Sequence, residues 1–421
     1  MCKCSVIKFV SHFLVLSLLS ACAVDSLDPV APLVFGNKWT VMVYMAADND
    51  LDIAAPLDLQ EMQKVGSTDN VTVLVQYDTR TEPTRRYKVV RNGLVLLQDL
   101  GELNMSDPGT LRDFITAGVK GYPADHYTLI LWDHGEGWQT GVDKQVPAMI
   151  EDWDNTNHKT LPLSNLQITQ ALTEAEAATG ARLDILGIDA CLMATLEAAY
   201  EFRSGADILV SSQNLVQGFG WDYTDLLSRL TSQPTMSPTA LATEMVASYR
   251  QFVESPAWGY GDQTISAIRL GAGIETLAQD VNALAVRFSG DMADPALRDG
   301  AVTTITSALA SVQRCNPPTY VDLYDFSGLL AGSVAITPIQ ADLKAITIAE
   351  YHGSRFPGAH GLNIVFIDLP MAVAFSTYLF DYTNFDPATG KGSKSSFIND
   401  YSWDEMMNSY FYLKYPNLMP N

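Results

Sequence analysis

From residue 39 onward, short continuous apolar runs alternate with amphipathic stretches. Trp39–Ala46, Val71–Tyr77, Tyr127–Trp132, Leu183–Ile188 and Asp207–Ser211 are brief and rich in β-branched residues. That pattern predicts buried strands in a sheet covered on both faces. Arg85–Val90 and Leu94–Leu97 flank Asn92-Gly93, a pair suited to the positive φ of a tight turn, which predicts a β-hairpin. Ala54–Lys64, Thr110–Lys120, Leu163–Ala178, Met193–Arg203 and Thr239–Glu254 carry apolar residues at helical spacing. Such alternation predicts right-handed crossovers and a mostly parallel α/β sheet. Further strands are expected at Thr264–Leu270 and Leu362–Ile367, with helices near Ile274–Phe288, Ala301–Val312 and Thr337–Tyr351. The aromatic stretch from Asp381 has no assignable period. Thr140–Leu161 breaks the rhythm. It is polar and weakly periodic, and reads as a long exposed loop of the kind that is functional or cleavable.

Composition narrows the function classes. With 421 residues, 47% of them apolar, the chain can fill a sizeable core and is not intrinsically disordered. Its formal charge of −22 and lack of a basic stripe exclude a nucleic-acid binder. Lys3 and Lys8 precede an apolar run, Phe9–Ala21, that is too short to span a bilayer, and no acid appears before Asp25. The run ends in Leu19-Ser20-Ala21-Cys22 and resembles a bacterial lipoprotein signal, which implies removal of residues 1–21 and acylation of Cys22. Residues 22–37 would then be a tether, and the protein would be lipid-anchored in the bacterial cell envelope, periplasmic or at the cell surface. Cys2 and Cys4 leave with the signal, so only Cys191 and Cys315 remain in the folded part. An exported protein stabilised by disulfides would carry more, and a free thiol in an oxidising compartment calls for a chemical explanation.

Ligands of open parallel sheets gather at the carboxyl ends of strands. One expected strand runs into Asp133-His134-Gly135 and another into Asp189-Ala190-Cys191. A thiol and an imidazole on neighbouring rigid elements could supply the nucleophile for acyl transfer. The N–H groups of Gly135 and Cys191 are candidates for an oxyanion site, and a helix starting after Cys191 would favour a thiolate. No HExxH, CxxC or Gly-x-Ser-x-Gly pattern points to zinc or to a serine esterase.

The blocks Trp39–Leu51, Leu131–Gly135, Gly187–Met193 and Gly218–Tyr223 together resemble the clostripain family of cysteine peptidases, within the caspase-like clan that includes gingipains and legumain. Weaker similarity follows at Ser266–Ile268 and Gly361–Ile364. The resemblance implies a caspase-like three-layer sandwich, with a catalytic domain at 38–260 and a C-terminal part at 261–421 that completes or flanks the sheet. It implies a cysteine endopeptidase with His134 and Cys191 as catalytic dyad and peptides or proteins as substrates, contacting the membrane only through the lipid. Asp189 would select Arg or Lys in the S1 pocket, although it could instead cap the next helix or bind backbone. Asp133 is a candidate to orient His134. Lys144 and Lys159 are candidate self-processing sites. No cofactor is required, but calcium, needed by some relatives, could bind at Asp48 and Asp50. Ser211-Ser212-Gln213-Asn214 departs from the acidic residues expected beside the substrate cleft. The alternative is a catalytically silent surface lipoprotein that binds peptides or glycans, which would need neither His134 nor Cys191.

Overall fold

The computed structural model describes residues 36–138, 149–153, 162–256, 261–330, 337–368, 382 and 395–416. The signal segment, Cys22, the tether up to residue 35, Lys144 and Lys159 lie outside them. The first half of the chain builds strands β1 (Trp39–Ala47), β2 (Val71–Thr79), β3 (Glu82–Val90), β4 (Gly93–Gly101), β5 (His126–Trp132), β6 (Leu183–Asp189) and β7 (Ala206–Ser211). Strands β8 (Thr264–Arg269), β9 (Tyr320–Asp322), β10 (Thr347–His352) and β11 (Asn363–Val365) follow. Nine of these form one sheet in the order β10-β8-β7-β6-β5-β1-β2-β3-β4, and β9 pairs with β11 separately.

The five central strands, β7-β6-β5-β1-β2, run parallel. Antiparallel strands close both edges: the β3–β4 hairpin, turning at Asn92 with φ of 59°, and β8 with β10. Along β1 the side chains alternate between two cores, Met42, Tyr44 and Ala46 entering one and Val41, Val43 and Met45 the other. Helices α1 (Ala55–Val65), α2 (Pro108–Gly121), α3 (Asn165–Thr179), α4 (Leu196–Phe202), α5 (Tyr223–Ser232), α6 (Pro238–Val253) and α7 (Ala272–Ala293) supply the outer layers. Residues of α2, α3, α4 and α7 fill the first core, and residues of α1, α5 and α6 fill the second. The result is a three-layer sandwich, and every crossover brings the next parallel strand out at the same edge.

The later part of the chain adds α8 (Arg298–Leu309), α9 (Leu323–Leu329), α10 (Thr337–Ile346), α11 (Ser396–Asp400) and α12 (Trp403–Lys414). The helix expected over Thr337–Tyr351 stops at Ile346. The β-branched and aromatic residues after it pair antiparallel with β8 as an edge strand. The stretch expected to be a helix from Met193 begins only at Leu196, where the Thr195 side chain accepts the Ala198 N–H. Helix α5 was not anticipated. In the C-terminal stretch, the Trp403 Nε1–H donates to the Val365 carbonyl at 2.8 Å, and the Tyr200 hydroxyl bonds Asp400 at 2.9 Å. These contacts tie α12 to β11, and α11 to α4.

Candidate active site

Strands β5 and β6 are in parallel register, with Trp132 opposite Asp189. His134 and Cys191 therefore leave the sheet at the same edge, each two residues past that rung. The backbone between them is tightly packed. A Cβ on Gly135 would strike the Cys191 carbonyl oxygen and lie 3.0 Å from both Ala190 Cβ and Met193 Cγ. Only glycine lets the His134–Gly135 turn approach the Cys191 turn so closely.

The Cys191 thiol is partly exposed, and its Sγ accepts the Val216 N–H at 3.2 Å. Burial pushes the thiol pKa up, with further help from the carboxylates of Glu136 and Asp189, while the Val216 N–H opposes them. The expectation that a helix dipole lowers it is not met. Residues 192–194 intervene before α4, which is only seven residues long, and Leu192 adopts a φ of +64°. Leu192 N and Ala194 N donate to the carbonyls of Asn214 and Ser212, so the turn is pinned to the strand end next door.

The segment Ser211–Asn214 itself is buried rather than lining a cleft. Gln213 donates to Asp322 at 2.9 Å and to Asn363 at 2.8 Å, and accepts the Gly361 N–H at 2.8 Å. This polar network, in which the buried Cys315 thiol also points at Asn363, fastens the C-terminal part to the Cys191 turn. The residue that meets the thiol is Val216, two positions past this segment, and Leu215 between them is exposed.

His134 is held from the β1 side. Its Nε2 lies 2.8 Å from Asp50 Oδ1, at the start of a 3-10 turn, Asp50–Ile53, that follows β1. Burial disfavours the imidazolium, but Asp133, Asp50 and Glu151 outweigh it and raise the pKa above 6.5. Asp133 does not orient the ring through its side chain. Its carboxylate accepts from Asn49 Nδ2 at 2.8 Å and from the Glu151 N–H, and burial pushes its pKa up to about 7. Adjacent residues on an extended chain point apart, which is why Asp50 rather than Asp133 reaches the imidazole.

Asp189 is fully buried beneath the segment that leads into α5. Its Oδ2 accepts the Trp221 N–H and the Tyr223 hydroxyl, each at 3.0 Å, and Oδ1 has no donor among the described residues. Gly220, with φ of +53°, permits the approach, since a Cβ there would lie 2.6 Å from Oδ2. Burial pushes the pKa of Asp189 up to about 7 despite these donors. Trp221 and Tyr223 are core residues that clamp this carboxylate, not an exposed rim. Neighbouring Asp58, which accepts the Trp132 Nε1–H at 2.7 Å, is pushed by burial and by Asp189 up to about 9.

The metal expectation needs correction. Asp50 is turned to His134, and Asp48 instead groups with Asp78 and Asp152, each buried, with ligand atoms all within 4.8 Å of one another. Asp78 Oδ1 accepts the Thr84 hydroxyl at 3.0 Å, Asp152 Oδ2 accepts the Met105 N–H at 2.6 Å, and Asp78 Oδ2 has no donor among the described residues. Three hard oxygen donors with one orphaned oxygen fit a cation of the calcium class. Asp78 and Asp152 were missed because only the fold brings the ends of β1 and β2 to residue 152.

The clostripain family model matches residues 43–409. The chain belongs to the clostripain family. Clostripain of Hathewaya histolytica is 32% identical over 46% of this chain and 42% of its own, so the match spans less than half of that relative. A secreted C11 cysteine protease from Bacteroides thetaiotaomicron, solved with an irreversible peptide inhibitor, aligns with a TM-score of 0.60 at 21% identity, covering 82% of this chain and 97% of its own. An inactive zymogen C11 protease from Parabacteroides distasonis aligns with a TM-score of 0.60 at 19% identity, covering 78% and 92%. These likenesses establish the fold as that of the C11 proteases.

Proposed function

We propose that this chain is a cysteine endopeptidase that cleaves peptide bonds after Arg or Lys. The observation that carries the reading is the shared edge of β5 and β6, which in a clostripain-family chain brings His134 and a partly exposed Cys191 out past one rung. His134 removes the thiol proton, and the sulfur attacks the scissile carbonyl. The tetrahedral oxyanion is held by the N–H groups of Gly135 and Cys191. His134 then protonates the leaving amine, and water hydrolyses the acyl-enzyme. Burial pushes the thiol pKa up, and the imidazole serves as the general base when the sulfur attacks.

What supports basic P1 selection is Asp189. A guanidinium or ammonium would supply the missing donor to Oδ1, whereas an apolar P1 side chain would leave it orphaned. Self-processing at Lys144 or Lys159 follows from the same specificity, and one of the similar solved proteins is described as an inactive zymogen. The calcium that the resemblance implies is assigned to Asp48, Asp78 and Asp152, where it would brace the strand ends next to residues 149–153. Acylation at Cys22 would place the enzyme on the cell envelope.

Fluorogenic peptides ending in Arg, Lys, Asp, Asn or Leu test the reading. Hydrolysis is expected for Arg and Lys only, with Cys191→Ala at background and Asp189→Asn losing the basic preference. The purified Cys191→Ala chain should stay uncut between residues 139 and 161. Activity that survives Cys191→Ala removes the mechanism.

A further inference from the structure

The Asp50 carboxylate has a use that neither its family resemblance nor its neighbours supplies. The turn that carries it is fixed from three sides through one side chain, Asn49. Asn49 Oδ1 accepts the Leu51 N–H at 2.8 Å, and its Nδ2 donates to Asp133 at 2.8 Å and to the Glu151 carbonyl at 2.9 Å. Asp133 is consumed by that bond and by the Glu151 N–H. Asp50 is therefore presented to the imidazole by a braced backbone, and its carboxylate meets Nε2 at 2.8 Å.

We infer that Asp50 is a positioning residue for His134, holding the imidazole in the tautomer whose Nε2–H faces the carboxylate and whose Nδ1 is left free to accept the Cys191 proton. The inference rests on the peptidase reading of His134 and Cys191. In the step it serves, the S–H bond breaks, an Nδ1–H bond forms, and the sulfur lone pair attacks the carbonyl. The positive charge then spread over the ring is opposed by Asp50. A carboxylate on the second nitrogen sets tautomer and orientation in other imidazole sites in the same way. Other acidic groups face the ring as well: Asp133 at the end of β5, Glu151 from the segment after the loop, and Glu136 from the turn beyond Gly135. None of these makes a side-chain hydrogen bond to His134 among the described residues.

Asp50→Ala and Asp50→Asn in the full chain test the inference. The Asp50 side chain is 63% exposed, so both variants are expected to melt with the parent. Asp50→Ala should lower kcat by about 100-fold with KM little changed, and should move the acid limb of the kcat/KM profile to lower pH. Long-range proton–nitrogen NMR on histidine-labelled chain supplies the readout independent of turnover. The parent should show His134 protonated on Nε2. Asp50→Asn, whose amide oxygen still accepts, should keep that tautomer but lose the charge effect, while Asp50→Ala should populate both tautomers. An unchanged His134 signal in Asp50→Ala overturns the inference, as does a changed signal with unchanged kcat. If the parent itself shows no Cys191-dependent hydrolysis, the peptidase reading fails first, and that outcome is visible before any Asp50 variant is made.

Discussion

A methyl group at residue 135 has no room, because it would enter the Cys191 carbonyl and press on Ala190 and Met193. Gly135→Ala is therefore expected to push the two turns apart by several tenths of an ångström and to cost at least about 100-fold in kcat, since displaced reacting groups lose rate steeply. Circular dichroism should be unchanged, and kcat within threefold of the parent would refute the packing argument. The placement of His134, Gly135 and Cys191 at one edge of the sheet was legible in the sequence, because each sits just past a strand whose apolar run announces it. Asp189 was legible as a candidate, but its clamping by Trp221 and Tyr223 was not. Asp50 lies 84 positions from His134, and local sequence contains nothing that says which nearby acid will turn inward. Asp133, a candidate orienter in the sequence, instead turns its carboxylate to Asn49.

Among the elements, the parallel strands and their crossover helices were readable because continuous β-branched runs and 3.6-residue spacing leave little ambiguity. The edges were harder. Thr347–His352 carries half-buried side chains on one strand of an antiparallel pair, a pattern that also continues a helix, and only pairing with β8 decides it. Helix α5 begins at an Asp222 N-cap inside an aromatic stretch whose buried residues look like loop anchors. Helix α3 begins with a capping box: Gln167 N–H donates to Ser164 Oγ at 3.3 Å, and Ser164 N–H to Gln167 Oε1 at 3.0 Å. Ser164→Ala should lower unfolding stability by about 1 kcal/mol in urea titrations while leaving kcat of the folded enzyme intact. A loss below a few tenths of a kcal/mol would mean the cap is redundant with tertiary packing.

For the whole molecule, the buried carboxylates set the response to pH. Asp58 is pushed up to about 9, and Asp189 and Asp322 up to about 7, in each case chiefly by burial. These groups bind protons more tightly in the native chain than in the unfolded one, where a carboxyl titrates near 4. Unfolding then releases protons, so stability is greatest near the unfolded value and falls as pH rises through the native values. The raised His134 pKa acts in the same direction. Denaturant midpoints are expected to decrease from pH 5 to pH 9, and Asp58→Asn, which can still accept the Trp132 Nε1–H, should flatten the decline above pH 7. A midpoint that rises over this interval would contradict the assignment.

The buried network beneath the Cys191 turn has a practical corollary. Cys315 is shielded within it, and burial pushes its thiol up to about 12, so it is neither reachable nor ionised in native protein. Of the two described cysteines, a soluble alkylating reagent would therefore modify one alone. In a chain whose residues 1–22 have been removed, moles of label bound per mole of folded protein would count competent molecules in a preparation, and a second equivalent taken up over time would clock the loosening of the C-terminal part from the sheet.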